Sequence, residues 1–210
     1  MMKKSLALFA LPAIFAACTE SGTPEKTSEP ANVQSEQIIE EETPELIPME
    51  YVVIETNKGN ISLELDPNEA PITVANFMAY VDDGFYDNTV FHRVIDGFMI
   101  QGGGFTTDGA KKDTRDPIVL ESQNGLKNDV GTIAMARTNA PNSATAQFFI
   151  NLKDNAFLNY SPGNPGYAVF GKVTSGMDVV NEIRQVETTV KQGMSDWPVE
   201  EVIIEKAYRE

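Results

Sequence analysis

The sequence predicts a mainly β protein, a closed antiparallel barrel capped by two α-helices, and three observations lead there. Short β-rich runs follow one another between Asn, Gly, Pro and Asp, and only two stretches carry apolar residues at helical spacing. Strands and helices do not alternate, which argues against a parallel sheet. With 210 residues and 41% hydrophobic content, the chain can bury one core of good size.

Tyr51–Thr56 and Ile61–Leu65 are the first two strands, joined by the turn residues Asn57-Lys58-Gly59-Asn60. Pro67 and Pro71 block strand continuation. From Thr73, a candidate N-cap, Val74, Phe77, Met78 and Val81 fall at helical spacing, and Gly84 reads as the stop. Phe91–Ile95 and Phe98–Gln101 are the next strands, turned at Asp96-Gly97. Residues 102–128 show no sustained periodicity, which in a compact domain marks a functional or mobile stretch. Gly131–Arg137, Gln147–Leu152 and Tyr167–Val173 read as strands. Ser175 caps a second helix carrying Val179, Val180 and Ile183, and Val199–Tyr208 closes the domain.

The amino terminus reads differently. Met1-Met2-Lys3-Lys4 and the apolar run to Ala17 form a charged head and a hydrophobic stretch too short to span a bilayer, so residues 1–17 are expected to be a secretory signal peptide. Cys18 is the only cysteine and cannot form an internal disulfide. Its place after Ala16-Ala17 resembles a bacterial lipobox, which implies cleavage before Cys18 and its lipidation. The membrane partner is then reached through Cys18. Phe15 departs from the leucine common there, and Thr19 resembles outer-membrane sorting; a soluble periplasmic protein is the alternative. Residues 19–50 hold nine glutamates against one lysine, much of the net charge of −15. With little apolar content, residues 18–49 read as a self-repelling disordered linker ahead of a domain at 50–210. No basic stripe points to nucleic acid.

The least ordinary side chains lie in Phe91-His92-Arg93-Val94-Ile95. Strict alternation puts Phe91, Arg93 and Ile95 on one face and His92 and Val94 on the other. Arginine cannot shed its charge, so Arg93 needs an acceptor: a bound peptide carbonyl, an internal carboxylate, or water reached from an edge. His92 is the only histidine, and no serine or cysteine nucleophile is patterned around it, so a hydrolytic triad is excluded and His92 reads as a hydrogen-bonded core residue. A zinc site or a calcium loop is equally unsupported. Gly102-Gly103-Gly104 lacks the lysine of a phosphate loop and reads as licence for an awkward backbone path. Phe98, Met99, Phe148, Phe149 and Phe157 read as core by default.

Four motifs carry a resemblance across roughly residues 50–208: Phe91-His92-Arg93-Val94-Ile95-Asp96-Gly97-Phe98-Met99-Ile100-Gln101-Gly102-Gly103, Gly131–Arg137, Ser143–Asn151 and Val169–Val173. In order and spacing the chain resembles the cyclophilin family of peptidyl-prolyl cis-trans isomerases, nearest to the bacterial periplasmic members. The resemblance implies an eight-stranded barrel with two capping helices, and isomerisation of X-Pro bonds without cofactor or metal. It makes Arg93 catalytic, and Phe98, Met99, Phe149 and Leu158 the walls of a proline pocket. Gln101 becomes a donor to the substrate backbone, and Ala136 and Gln147 become groove positions. Phe157 stands where many members have tryptophan, which implies weak cyclosporin binding. Tyr167 stands where eukaryotic members often have histidine, and Asp96 replaces a usual proline. Proline-containing polypeptides are the expected partners, exported proteins the expected clients, and a monomer the expected state. A proline-segment binding module or chaperone, with turnover incidental, is the alternative.

Overall fold

The computed structural model describes residues 46–210. The expected signal peptide, Cys18 and most of the expected linker lie outside the described residues. Ile47, ahead of the expected domain boundary, exchanges two hydrogen bonds with the side chain of Asn68, at 2.9 and 2.8 Å.

Eight strands close into an antiparallel barrel. They are β1 (Glu50–Thr56), β2 (Gly59–Leu65), β3 (Thr89–Ile95), β4 (Met99–Thr106), β5 (Thr132–Met135), β6 (Phe148–Asn151), β7 (Val169–Ser175) and β10 (Ile203–Arg209). Their order around the barrel is β1-β10-β3-β4-β6-β5-β7-β2. The seam joins the two ends of the domain, with Val52 opposite Arg209 and Ile54 opposite Ala207. Inward-facing Val52, Ile54, Ile61, Leu63, Phe91, Ile133, Phe148, Ile150 and Phe170 form one buried core. Helix α1 (Pro71–Asp82) drives Phe77 into it, 5.1 to 5.5 Å from the rings of Tyr86, Phe148 and Phe170. Helix α2 (Met177–Ile183) adds Val180 and Ile183.

Four expectations change in detail. Thr73 is not the cap of α1: the helix begins two residues earlier at Pro71, whose fixed φ and missing N–H suit a first turn. The first-turn N–H groups of Ile72 and Thr73 donate instead to the carboxylate of Glu121, 3.0 and 2.7 Å away, and the Thr73 hydroxyl donates to it as well. Glu121 thus caps α1 from a distant loop. Ser175 ends β7, and α2 starts after Gly176, whose φ of +87° and 2.2 Å separation between a notional Cβ and Asn60 O admit no side chain. Strand β4 runs on through the three glycines to Thr106. Finally, the last barrel strand starts at Ile203 because residues 188–198 form a separate ribbon, β8 (Thr188–Lys191) with β9 (Met194–Pro198), that composition alone left unassigned.

The stop at Gly84 is as expected. Gly84 N donates to Val81 O and Phe85 N to Tyr80 O, the paired bonds of a glycine-terminated helix.

Candidate active site

The outward faces of β3, β4, β5, β6 and β7 carry a second apolar cluster. Met99, Ala134, Phe149, Leu158 and Val169 are buried in it, with Ile95, Phe98, Ala136 and Tyr167 packed at its margin. One apolar face per strand belongs to the barrel interior, so a second apolar set on the outside needs a cover or a function.

A bulge puts the arginine there. Phe91 lies opposite Gly102 and Arg93 opposite Gln101, so His92 is an extra residue of β3 against one step of β4. Strict alternation therefore fails: Phe91 and Val94 point inward, while His92 and Arg93 both belong to the outer side. The buried His92 packs on the rings of Phe105 and Trp197, at 4.6 and 5.9 Å. Its Nδ1 is buried without a close hydrogen-bond partner, while the Val90 backbone and the Gln147 side chain lie near enough to favour the charged form against burial. Burial pushes its pKa down to about 4, so the imidazole is neutral at pH 7.

Arg93, Phe98, Met99, Gln101, Ala136, Phe149, Leu158 and Tyr167 line one cavity of about 130 Å³. A cavity of about 150 Å³ holds benzene, so the space suits a five-membered ring. The floor is apolar: Met99 and Phe149 are almost fully buried, and Tyr167 meets Phe149 edge-on at 5.6 Å. Polar groups stand on the rim. Gln101 Nε2 donates to Gln147 Oε1 at 2.8 Å, and Gln147 lies over Gly104, where a Cβ would come within 2.5 Å of its amide nitrogen. Gln147 thus faces the neighbouring cleft and touches the cavity through Gln101. Phe157 does not line the cavity; it is exposed and stacks on Phe98 at 5.7 Å, forming an outer rim.

Two sets of supporting residues escaped the sequence reading. Arg137 lines the cavity with its guanidinium 4.4 Å above the Tyr167 ring, held by Gly166 O at 2.9 and 2.8 Å and by Thr138 O at 2.8 Å. It lay inside a motif, yet nothing in its spacing separated it from a surface arginine. Beneath the walls, fully buried Asn128, Asn151 and Asn155 form a chain of amides. Asn151 donates to Asn128 at 3.3 Å, and Asn155 donates to Asn151 at 2.8 Å and to Phe98 O at 2.9 Å. Asn128 in turn receives the loop bearing Leu158 through Asn159. Asn155 Oδ1 alone in this chain of amides is buried without a partner, yet the amide bonds that are made join the loops they bridge, so the pocket walls at Phe98 and Leu158 are held from behind. The only signal in the sequence was the abundance of asparagine between strands.

Residues 51–209 match the family model described as cyclophilin type peptidyl-prolyl cis-trans isomerase/CLD. Similar curated proteins include the peptidyl-prolyl cis-trans isomerase cyp18 of Streptomyces antibioticus, 59% identical over 76% of this chain and 98% of its own. Peptidyl-prolyl cis-trans isomerase B of Escherichia coli K12 is 54% identical over 73% and 96%. Among solved structures, a cyclophilin-type isomerase of Cryptosporidium parvum, determined in the presence of the dipeptide Ala-Pro, is 30% identical. It has a TM-score of 0.61 and covers 76% of this chain and 98% of its own.

Proposed function

The chain belongs to the cyclophilin family of peptidyl-prolyl cis-trans isomerases and isomerises X-Pro peptide bonds, and from that premise we propose that Arg93 and the adjoining cavity carry the reaction. The observation that carries the assignment is a guanidinium at the lip of an apolar cavity of prolyl size. Amide resonance sets a barrier of about 18–20 kcal/mol to rotation, and uncatalysed X-Pro exchange takes tens of seconds or longer. No bond breaks, so catalysis needs only a grip on the ring and a donor aimed where charge shifts.

In this assignment Phe98, Met99, Phe149 and Leu158 hold the prolyl ring, Tyr167 and Ala136 close the sides, and Gln101 donates to the substrate backbone. As the C–N bond twists out of conjugation, nitrogen regains a lone pair. The Arg93 guanidinium, always charged, stabilises that twisted state over either planar one. Gln147 holds the Gln101 amide in place. Phe157, on the outer rim, extends the groove; with phenylalanine there rather than tryptophan, cyclosporin binds weakly.

The test is exchange of a short Ala-Pro peptide followed by magnetisation-transfer NMR. The wild-type chain accelerates exchange and Arg93→Ala loses most of the acceleration; full acceleration by Arg93→Ala removes the assignment.

The same proposal places the enzyme on exported polypeptides, as a monomer held by lipidated Cys18 on the periplasmic face of a membrane, the outer one by the residue at 19. Support comes from the charged and apolar residues 1–17, the position of Cys18 and the acidic run that follows. Incorporation of labelled palmitate by the wild type but not by Cys18→Ser checks it.

A further inference from the structure

Arg93 Nε lies 3.7 Å from the Asp196 carboxylate, its one ion pair among the described residues. Asp196 belongs to β9, in the ribbon that stands outside the barrel. We propose that Asp196 is a positioning residue for the isomerase reaction, a bracket on the β8–β9 ribbon that holds the Arg93 guanidinium toward the prolyl cavity. The proposal rests on the assignment of Arg93 as the catalytic donor.

Three observations support it. First, Arg93 has open space on two sides. It lines the prolyl cavity, and it also lines a second cleft walled by Phe105, Gln147, Met194 and Asp196. A long side chain between two openings samples several rotamers unless something selects one. A carboxylate at Nε selects one and leaves the two terminal NH2 groups to donate elsewhere.

Second, the bracket is rigid. Trp197, the neighbour of Asp196, is fully buried against His92 and Phe105 and donates from Nε1 to Glu201 at 3.1 Å. Lys191 is fixed to Glu201 and to Thr107 O, and Gln192 donates to Asp108 O at 3.1 Å. The ribbon turns at Gln192-Gly193, both at positive φ, a tight two-residue hairpin. His92, next to Arg93, thus packs on the ribbon residue next to Asp196.

Third, stability does not account for the arrangement. Both members of the pair are more than a third exposed, and exposed pairs contribute little or nothing to folding. Asp196 also sits at φ +64°, backbone that a residue other than glycine occupies under strain and that collects at functional positions. A strained aspartate in a weak ion pair gains the fold little; what it does achieve is direction.

The experiment compares full-length wild type, Asp196→Gly, Asp196→Asn and Arg93→Ala. Glycine relieves the positive φ while deleting the carboxylate, so a purely structural role for Asp196 predicts equal or better stability and unchanged turnover. We expect Asp196→Gly to keep its thermal midpoint and its KM for an Ala-Pro peptide, and to lose kcat about tenfold, the scale of a misaimed catalytic group. Asn keeps the side-chain shape but loses the charge of a contact that at 3.7 Å is an ion pair, and recovers only part of that loss. Relaxation of the Arg93 15Nε–H resonance, rigid in wild type, becomes fast in Asp196→Gly. Unchanged kcat, a change confined to KM, or lost kcat with Arg93 still rigid overturns the proposal. If Arg93→Ala itself retains full activity, the assignment of Arg93 fails instead, and the two failures are told apart.

Discussion

Lowering the pH from 7 to 4 loads a proton onto His92 only at the expense of the fold. In the unfolded chain the imidazole has its ordinary pKa near 6.5, and burial against Phe105 and Trp197 lowers it to about 4 in the native state. The unfolded chain therefore binds the proton more tightly between those two values. The stability this group contributes is complete above pH 6.5 and is lost as pH falls toward 4. At about 1.36 kcal/mol per pKa unit, the loss is about 3 kcal/mol. Domains of this size are stable by roughly 5–15 kcal/mol, so the effect is a large fraction of the whole. Urea titrations of wild type and His92→Gln at pH 7, 6, 5 and 4 isolate it, because the carboxylates titrate in both proteins alike. The stability difference between the two should move by about 3 kcal/mol in disfavour of wild type across that range. Parallel pH profiles would refute both the burial argument and the lowered pKa of His92.

Two further perturbations test how the groove is supported. Glu121→Ala removes the distant cap from the first turn of α1 and is expected to lower stability by about 1–2 kcal/mol in urea, within the range of cap deletions; no change would mean that water serves those N–H groups equally well. Gly104→Ala places a methyl within contact of the Gln147 amide, breaks its bond to Gln101 and is expected to reduce kcat/KM about tenfold or more, as small misplacements near a reacting group do; retained activity would show that the Gln101–Gln147 pair does not organise the groove.

Why the barrel was legible and parts of the site were not has a physical answer. β2 alternates cleanly, and Gly84 ends α1 as a helix stop should. Alternation fails where an extra residue enters a strand: the bulge at His92 leaves no mark in composition, yet it moves Arg93 from the face of Phe91 to the outer groove. Long-range caps fail in the same way, since Thr73 carries the signature of a cap while Glu121, far along the chain, does the capping. The β8–β9 ribbon was legible in principle, because Gln192-Gly193 between Thr188–Lys191 and Met194–Pro198 is a hairpin pattern. Its significance was not, since only the fold brings Asp196 beside Arg93. Arg137 and the buried asparagines belong with it: their importance lies in what they touch, and local spacing carries no record of that.

The seam between β1 and β10 bears on how the domain is made. Val52 pairs with Arg209, so the first strand waits unpaired on one side until nearly the whole domain is available to fold. Until then β1 and β2 form an open ribbon with a free edge, the kind of surface that recruits other strands. Pairings between residues so far apart in the chain also form slowly. The isomerase domain thus passes through a vulnerable interval of its own, which ends only when its last strand arrives.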